Sequence, residues 1–161
     1  MGNVKISELT RATQLTGAEL FVMVQAGLNK SVTAREINNY SYVVDMVGDD
    51  FFATPGYGTG LSAITNIDFS TLMNAAILAL TGGGTILIRS SVVAEVTAEI
   101  TDQGNSDIDL IFQKGSKLTA MDGLQTSENT YSMIRLSGVD NWRIKGIRVD
   151  GNSANQATSD G

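Results

Sequence analysis

The pattern of apolar and polar positions changes character twice along the chain. Leu20-Phe21-Val22-Met23-Val24-Gln25 is dense in β-branched and aromatic residues and predicts a strand. Ala26-Gly27-Leu28-Asn29-Lys30 predicts a turn, because Gly27 and Asn29 accept positive φ, and Ser31-Val32-Thr33 predicts the return strand. Thr33 and Glu36 stand at capping-box spacing, so a helix is expected from Ala34. A hairpin and a helix within residues 1–39 bury too little apolar surface to be stable alone. This stretch therefore needs a partner surface, and the expected contact residues are Leu20, Phe21, Val22, Met23, Val24 and Val32.

Residues 40–66 read as a connector. Ile37, Tyr40, Val44 and Val47 alternate at spacings of three and four, as in a coiled neck, while Ser41-Tyr42-Val43-Val44 fits a strand equally well. Pro55-Gly56-Tyr57-Gly58-Thr59-Gly60 interrupts either.

From residue 67 to 161 the pattern is a helix followed by short strands. Asp68 is the expected N-cap, and Phe69, Leu72, Met73, Ala76, Ile77 and Leu80 form one apolar stripe at helical spacing. Gly82-Gly83-Gly84 is expected to end the helix, one of them as a left-handed C-cap. Strands are then expected at Thr85–Ile88, Val92–Ile100, Ile108–Phe112, Lys117–Met121 and Met133–Leu136, with Asn, Gly and Asp at the corners. In Trp142-Arg143-Ile144-Lys145-Gly146-Ile147-Arg148-Val149 the alternation changes phase at Gly146, which marks a corner between two strands. Strand pairs recur at roughly 20 to 25 residues, the period of one solenoid turn, and the apolar helix would seal the end of such a stack.

Composition narrows the function classes. With 42% hydrophobic residues in 161, the chain can bury a core, and 17 glycines against a single proline suit many tight corners. A net charge of −6 argues against nucleic acid as a partner. No cysteine and no histidine are present, which removes thiolate chemistry, the usual general base and the commonest metal ligands. No cofactor is expected. No run of about 18 apolar residues exists to span a membrane, and Lys5, Glu8 and Arg11 interrupt any signal-peptide pattern.

Paired carboxylates are the remaining catalytic currency. Asp107 and Asp109 lie two residues apart on one strand face, about 7 Å from each other, and read first as solvent-facing partners of Ile108 and Leu110. Asp49-Asp50, Asp122-Gly123 and Asp150-Gly151 read as turns. Gly56–Gly60 lacks the lysine of a phosphate loop. Trp142, Tyr131 and Tyr57 could stack on sugars, but Trp142 shares its face with Ile144 and reads as packing. Asn29-Lys30-Ser31 matches a glycosylation sequon by chance.

Two segments carry a resemblance. Asp68-Phe69-Ser70-Thr71-Leu72-Met73-Asn74-Ala75-Ala76-Ile77, followed by Gly82-Gly83-Gly84-Thr85-Ile86-Leu87-Ile88, resembles the opening of the pectate-lyase-like right-handed parallel β-helix. Val139–Asn152 looks like one of its rungs. Lys5–Leu9, Leu15–Val22 and Lys30–Thr33 resemble the short N-terminal module of bacteriophage tailspikes and tail fibres. Arg89-Ser90-Ser91-Val92 departs from the proline-containing motif usual after the first strand, and Asn66-Ile67-Asp68-Phe69 shortens the acidic motif before the helix.

The resemblance implies a mainly β chain with short helices. It would comprise a virion-attachment module over 1–39, a connector over 40–66, and a capping helix with the first rungs of a parallel β-helix over 67–161. Its implied partners are two further copies in a homotrimer, a phage tail, baseplate or adaptor protein, and a host surface polysaccharide bound by a downstream region. Its implied location is the virion, after synthesis in the host cytoplasm. The segment itself is expected not to be catalytic, although the full-length protein has room to be a depolymerase. The alternatives are the N-terminal part of a free polysaccharide lyase or hydrolase, and a tail fibre that binds glycan without cutting it.

Overall fold

A computed structural model describes the strand backbones at residues 20–25 and 28–33, and residues 40–123 and 132–155. Its contacts divide the chain into two units, Met1–Glu36 and Ile37–Gly161. In the first unit, β1 (Leu20–Gln25) and β2 (Leu28–Thr33) pair antiparallel from Leu20↔Thr33 to Gln25↔Leu28. The hairpin is present with a second strand longer than expected: pairing reaches Leu28, which leaves only Ala26 and Gly27 between the strands. The helix expected from Ala34 lies outside the described residues, as do the side chains of Leu20, Phe21, Val22, Met23, Val24 and Val32.

Among its described residues the second unit is mostly short strands with one α-helix. It opens with β3 (Tyr42–Val47), β4 (Asp50–Pro55) and β5 (Ile64–Asn66), which form an antiparallel meander. The residues expected as a connector thus belong to a sheet. The physical reason is burial: Tyr42, Val44, Phe51 and Ala53 join the core, where a two-sided neck would expose them. Helix α1 (Phe69–Leu78) follows, and then β6 (Gly84–Ile88), β7 (Val93–Val96) and β8 (Ile100–Thr101). The same three-strand course repeats as β9 (Ile108–Phe112), β10 (Lys117–Ala120) and β11 (Ile134–Arg135). It begins again with β12 (Arg143–Lys145) and β13 (Val149–Asp150).

Every strand from β6 onward pairs parallel with the strand at the same place in the neighbouring course. The ladders are β6-β9-β12, β7-β10-β13 and β8-β11. The chain therefore visits three parallel ladders in rotation. Gly84 pairs with Ile108, 24 positions on, whereas Asp109 pairs with Arg143, 34 positions on. The first interval fits the expected period. The second exceeds it because 14 positions separate Ala120 from Ile134, where four separate Val96 from Ile100.

Like residues stack from course to course and make the core. Tyr42, Ile86 and Leu110 form one buried row, Val44, Ile88 and Phe112 a second, and Ala94 with Leu118 a third. Tyr42 keeps its hydroxyl satisfied by donating to the Ser62 carbonyl at 3.0 Å.

Helix α1 begins as expected: the Asp68 carboxylate accepts the Thr71 N–H at 2.6 Å, and all six stripe residues are buried. Its end differs. The C-cap is Ala79 in right-handed conformation, not one of the three glycines. The Leu80 N–H and the Asn105 side-chain amide both donate to the Ile77 carbonyl, so no left-handed residue is needed there.

The polar side of α1 completes the first course. Asn74 accepts the Thr101 N–H at 2.9 Å through Oδ1 and donates Nδ2 to the Glu99 carbonyl at 3.0 Å. One side-chain amide thus supplies the donor and the acceptor that a peptide group of a preceding strand would offer β8. Ser70 serves the corner before β8 as an acceptor, its buried Oγ accepting the Thr97 N–H at 3.1 Å. Of the three ladders, that of β6 is continued at this end by β3, which pairs parallel with β6. Replacing Asn74 by Leu is expected to cost about 1–3 kcal/mol by stranding both backbone groups, measured as a lower midpoint of denaturant unfolding. Asn74→Asp restores only the acceptor and is expected to fall between.

Candidate functional site

The corner preceding each strand of the first ladder is a left-handed residue: Gly83 at φ 82°, Asp107 at 61° and Asn141 at 58°. Asp and Asn are the non-glycine residues that tolerate this region best. Gly83 has no such alternative, because a Cβ there would stand 2.8 Å from both the Cβ and the carbonyl oxygen of Asp107. The three corners are tied together: the Gly84 N–H donates to the Asp107 carbonyl, the Asp107 N–H donates to the Asp140 carbonyl, and Asn141 Nδ2 donates to Asp107 Oδ1 at 2.9 Å.

Two residues beyond each corner the side chains face away from the core. Thr85, Asp109 and Arg143 form this outward row in register. Arg143 grips Asp109 with two parallel bonds, Nε to Oδ1 and Nη2 to Oδ2, both 2.6 Å. The carboxylate raises the Arg143 pKa further above its ordinary value, chiefly through these hydrogen bonds. Gly84, Thr85, Asp107, Asp109, Asn141 and Arg143 together line an open groove of about 510 Å³ that crosses three neighbouring strands.

The Asp107–Asp109 pair therefore does reach one site, but by a different route from the expected one. Asp107 lies at the corner before β9, not on the strand, and both oxygens of Asp109 are engaged by Arg143. The bidentate bond to Arg143 thus occupies one of the two carboxylates that glycoside cleavage on a carboxylate pair requires. Incubation of the chain with polysaccharides is expected to give no cleavage. Shortened chains that vanish with Asp107→Asn and Asp109→Asn would contradict this.

The other residues of interest have structural partners. Trp142 packs against the core and donates its indole N–H to the Asn105 carbonyl at 2.7 Å, as its shared face with Ile144 suggested. Asp150 pairs with Lys117 at 2.8 Å, and Asp122 accepts from Asn152 at 2.6 Å. Within Gly56–Gly60, Thr59 donates to the Gly56 carbonyl, a self-contained turn. Tyr57 is exposed, and Tyr131 lies outside the described residues. Among the described residues no group of three or more acidic side chains is placed to hold a metal ion, and no helix is long and apolar enough to cross a membrane.

Asp102 is the carboxylate that burial singles out. It accepts the Gly104 N–H at 2.8 Å and, from the next course, the Ser137 N–H at 2.5 Å. These bonds hold its pKa below the ordinary value, the Gly104 bond contributing most. A depressed folded pKa gives stability that is present above the unfolded pKa of about 3.9 and lost as pH falls through the folded value. The thermal midpoint is thus expected to drop below about pH 4, and Asp102→Asn is expected to flatten that drop.

Comparison of the chain with family models, with curated proteins and with solved structures returns no match.

Proposed function

We propose that the chain is the N-terminal region of a bacteriophage tailspike or related tail protein. Residues 1–36 attach to a tail, baseplate or adaptor protein, and residues 37–161 begin a right-handed parallel β-helix that carries a host-glycan-binding or glycan-degrading region. The observation that carries this reading is the rotation through three parallel ladders that are closed at one end and open at the other. At the closed end β3 pairs with β6, and α1 offers Asn74 to β8 and Ser70 to the corner at Thr97. At the other end Leu136, Ile144 and Val149 are exposed although Ile144 and Val149 stack in line with the buried Leu110 and Leu118. Apolar rows of this kind call for a further course. The separate hairpin unit supports the attachment role, since two strands alone lack a core.

Assembly as a homotrimer in the virion follows from the same reading, because a thin module gains a shared core on association. Labelled chain, incubated with tail particles stripped of their spikes, is expected to co-sediment with the tails. By itself it is expected to sediment at three times the mass of the 17.1 kDa chain. A compact monomer that ignores the tails would sink this reading.

A further inference from the structure

We propose that β5 is a docking edge for a second copy of the chain, whose own β5 pairs with it antiparallel about a two-fold axis through Thr65. The largest sheet runs in the order β12-β9-β6-β3-β4-β5, so β5 has a neighbouring strand on one side only.

The alternation of the ladder fixes which backbone groups of β5 face outward. The Gly56 N–H donates to the Ser41 carbonyl at 2.9 Å, which makes Ser41 and Gly56 a hydrogen-bonded pair. Such pairs recur at every second position of an antiparallel ladder. Along the register, Thr54 and Phe52 therefore turn their backbone groups toward β3, and Ala53 and Phe51 turn theirs toward β5. Ala53 and Phe51 stand opposite Ile64 and Asn66, so the N–H and C=O of the intervening Thr65 point out of the sheet edge. Thr65 is exposed, and among the described residues no group bonds either of them.

Folded proteins guard such edges with charge or proline. At the opposite edge of the sheet β12 carries Arg143 and Lys145. β5 carries neither device. Of the 11 basic and 17 acidic residues of the chain, the whole stretch from Phe51 to Ile88 holds only Asp68. Tyr57, Ile67 and Leu78, each more than half exposed, belong to the same neutral stretch.

The missing charge also selects the occupant. Each chain carries a net charge of −6, so two copies repel where acidic faces meet but not where a neutral edge meets itself. The edge is self-complementary as well. With Thr65 opposite its own counterpart, the side chains of Ala63, Thr65 and Ile67 share one face, and Ala63 meets Ile67 of the partner subunit. A Thr–Thr pair and two Ala–Ile pairs are favourable cross-strand neighbours, and the exposed Ile67 is partly covered. The contact is short and the pair correspondingly weak, with a dissociation constant of about 10 to 100 µM.

The test is sedimentation of the 161-residue chain from about 1 µM to about 1 mM, with amide exchange followed at both ends of the range. The mass is expected to approach double its starting value, and exchange of the Thr65 amide to slow about threefold or more. This two-fold contact is independent of the trimer: it joins single chains into pairs, or trimers into six-chain particles. The starting mass therefore reports the trimer, and the doubling reports the edge. Thr65→Pro removes the outward N–H without removing a bond to β4, and Ile67→Lys places a charge on the edge. Each is expected to raise the dissociation constant about tenfold or more with the thermal midpoint nearly unchanged. A mass that stays constant over the range, undiminished doubling in Ile67→Lys or in folded Thr65→Pro, or a Thr65 amide that exchanges at one rate throughout would overturn the proposal.

Discussion

Ile77→Asp is expected to prevent the second unit from folding. Ile77 is fully buried on α1, next to the fully buried Leu72, Met73 and Ala76. A carboxylate in that position has no partner and costs at least about 4 kcal/mol, which is comparable with the whole stability of a small domain. Because α1 also supplies Asn74 and Ser70 to the first course, unseating it strips hydrogen bonds from β8 and from the corner at Thr97. The loss should therefore spread beyond the helix. Circular dichroism of the purified variant is expected to show no cooperative unfolding, whereas Leu78→Asp, at an exposed position of the same helix, leaves the transition nearly unchanged. Equal midpoints for wild type and Ile77→Asp would show that α1 is not part of the folded core.

Gly146→Val is expected to have the second largest effect. Gly146 has φ 72°, and a Cβ there would stand 2.2 Å from the carbonyl oxygen of Phe112 in the course above. A β-branched residue thus meets both the left-handed penalty of about 1–2 kcal/mol and a backbone clash that only movement of the corner relieves. Gly104 is the internal control. Its φ of 76° is nearly the same, but nothing lies within 4 Å of its would-be Cβ. Gly104→Val is expected to lose only the conformational part, about 1–2 kcal/mol, and Gly146→Val several times more by denaturant unfolding. Equal losses would mean that the corner at Gly146 is not packed against Phe112.

These two variants also mark what the sequence makes legible. The α1 stripe is readable because every apolar residue at helical spacing finds the core, and Asp68 caps it by a bond within one turn. The corner at Gly146 is readable because alternation keeps a period of two on either side and changes phase only there. Residues 40–66 are harder, since Tyr42-Val43-Val44 suits a strand or a neck equally, and only the parallel pairing of Tyr42 with Ile86 decides between them. The helix end departs from the glycine pattern because the Ile77 carbonyl is filled by Asn105, 28 positions away, and no local pattern announces such a bond.

The site shows the same division between local and distant information. Asp107 and Asp109 stand out as a spaced acidic pair. Asn141 and Arg143 do not, because they meet that pair across an interval of 34 residues while the preceding course spans only 24. A constant repeat would have aligned Asp109 with Met133 instead. The longer link between Ala120 and Ile134 shifts the register and brings the arginine to the carboxylate. Asn74 is missed for a related reason: as a polar residue within an apolar helix it looks like surface, while its amide takes the place of a strand.

The attachment reading assigns the chain to a phage virion, and the most direct measurement of it is mass spectrometry of such virions, purified and chemically cross-linked. The attachment reading predicts that the chain is a virion component, and that Lys30 in β2 is linked to a tail, baseplate or adaptor protein. It also predicts that Lys114 and Lys145 of the coil are linked only within the chain or between its own copies. Absence of the chain from virions, with recovery as a free protein in the culture medium, would contradict it and favour an unattached polysaccharide-degrading enzyme.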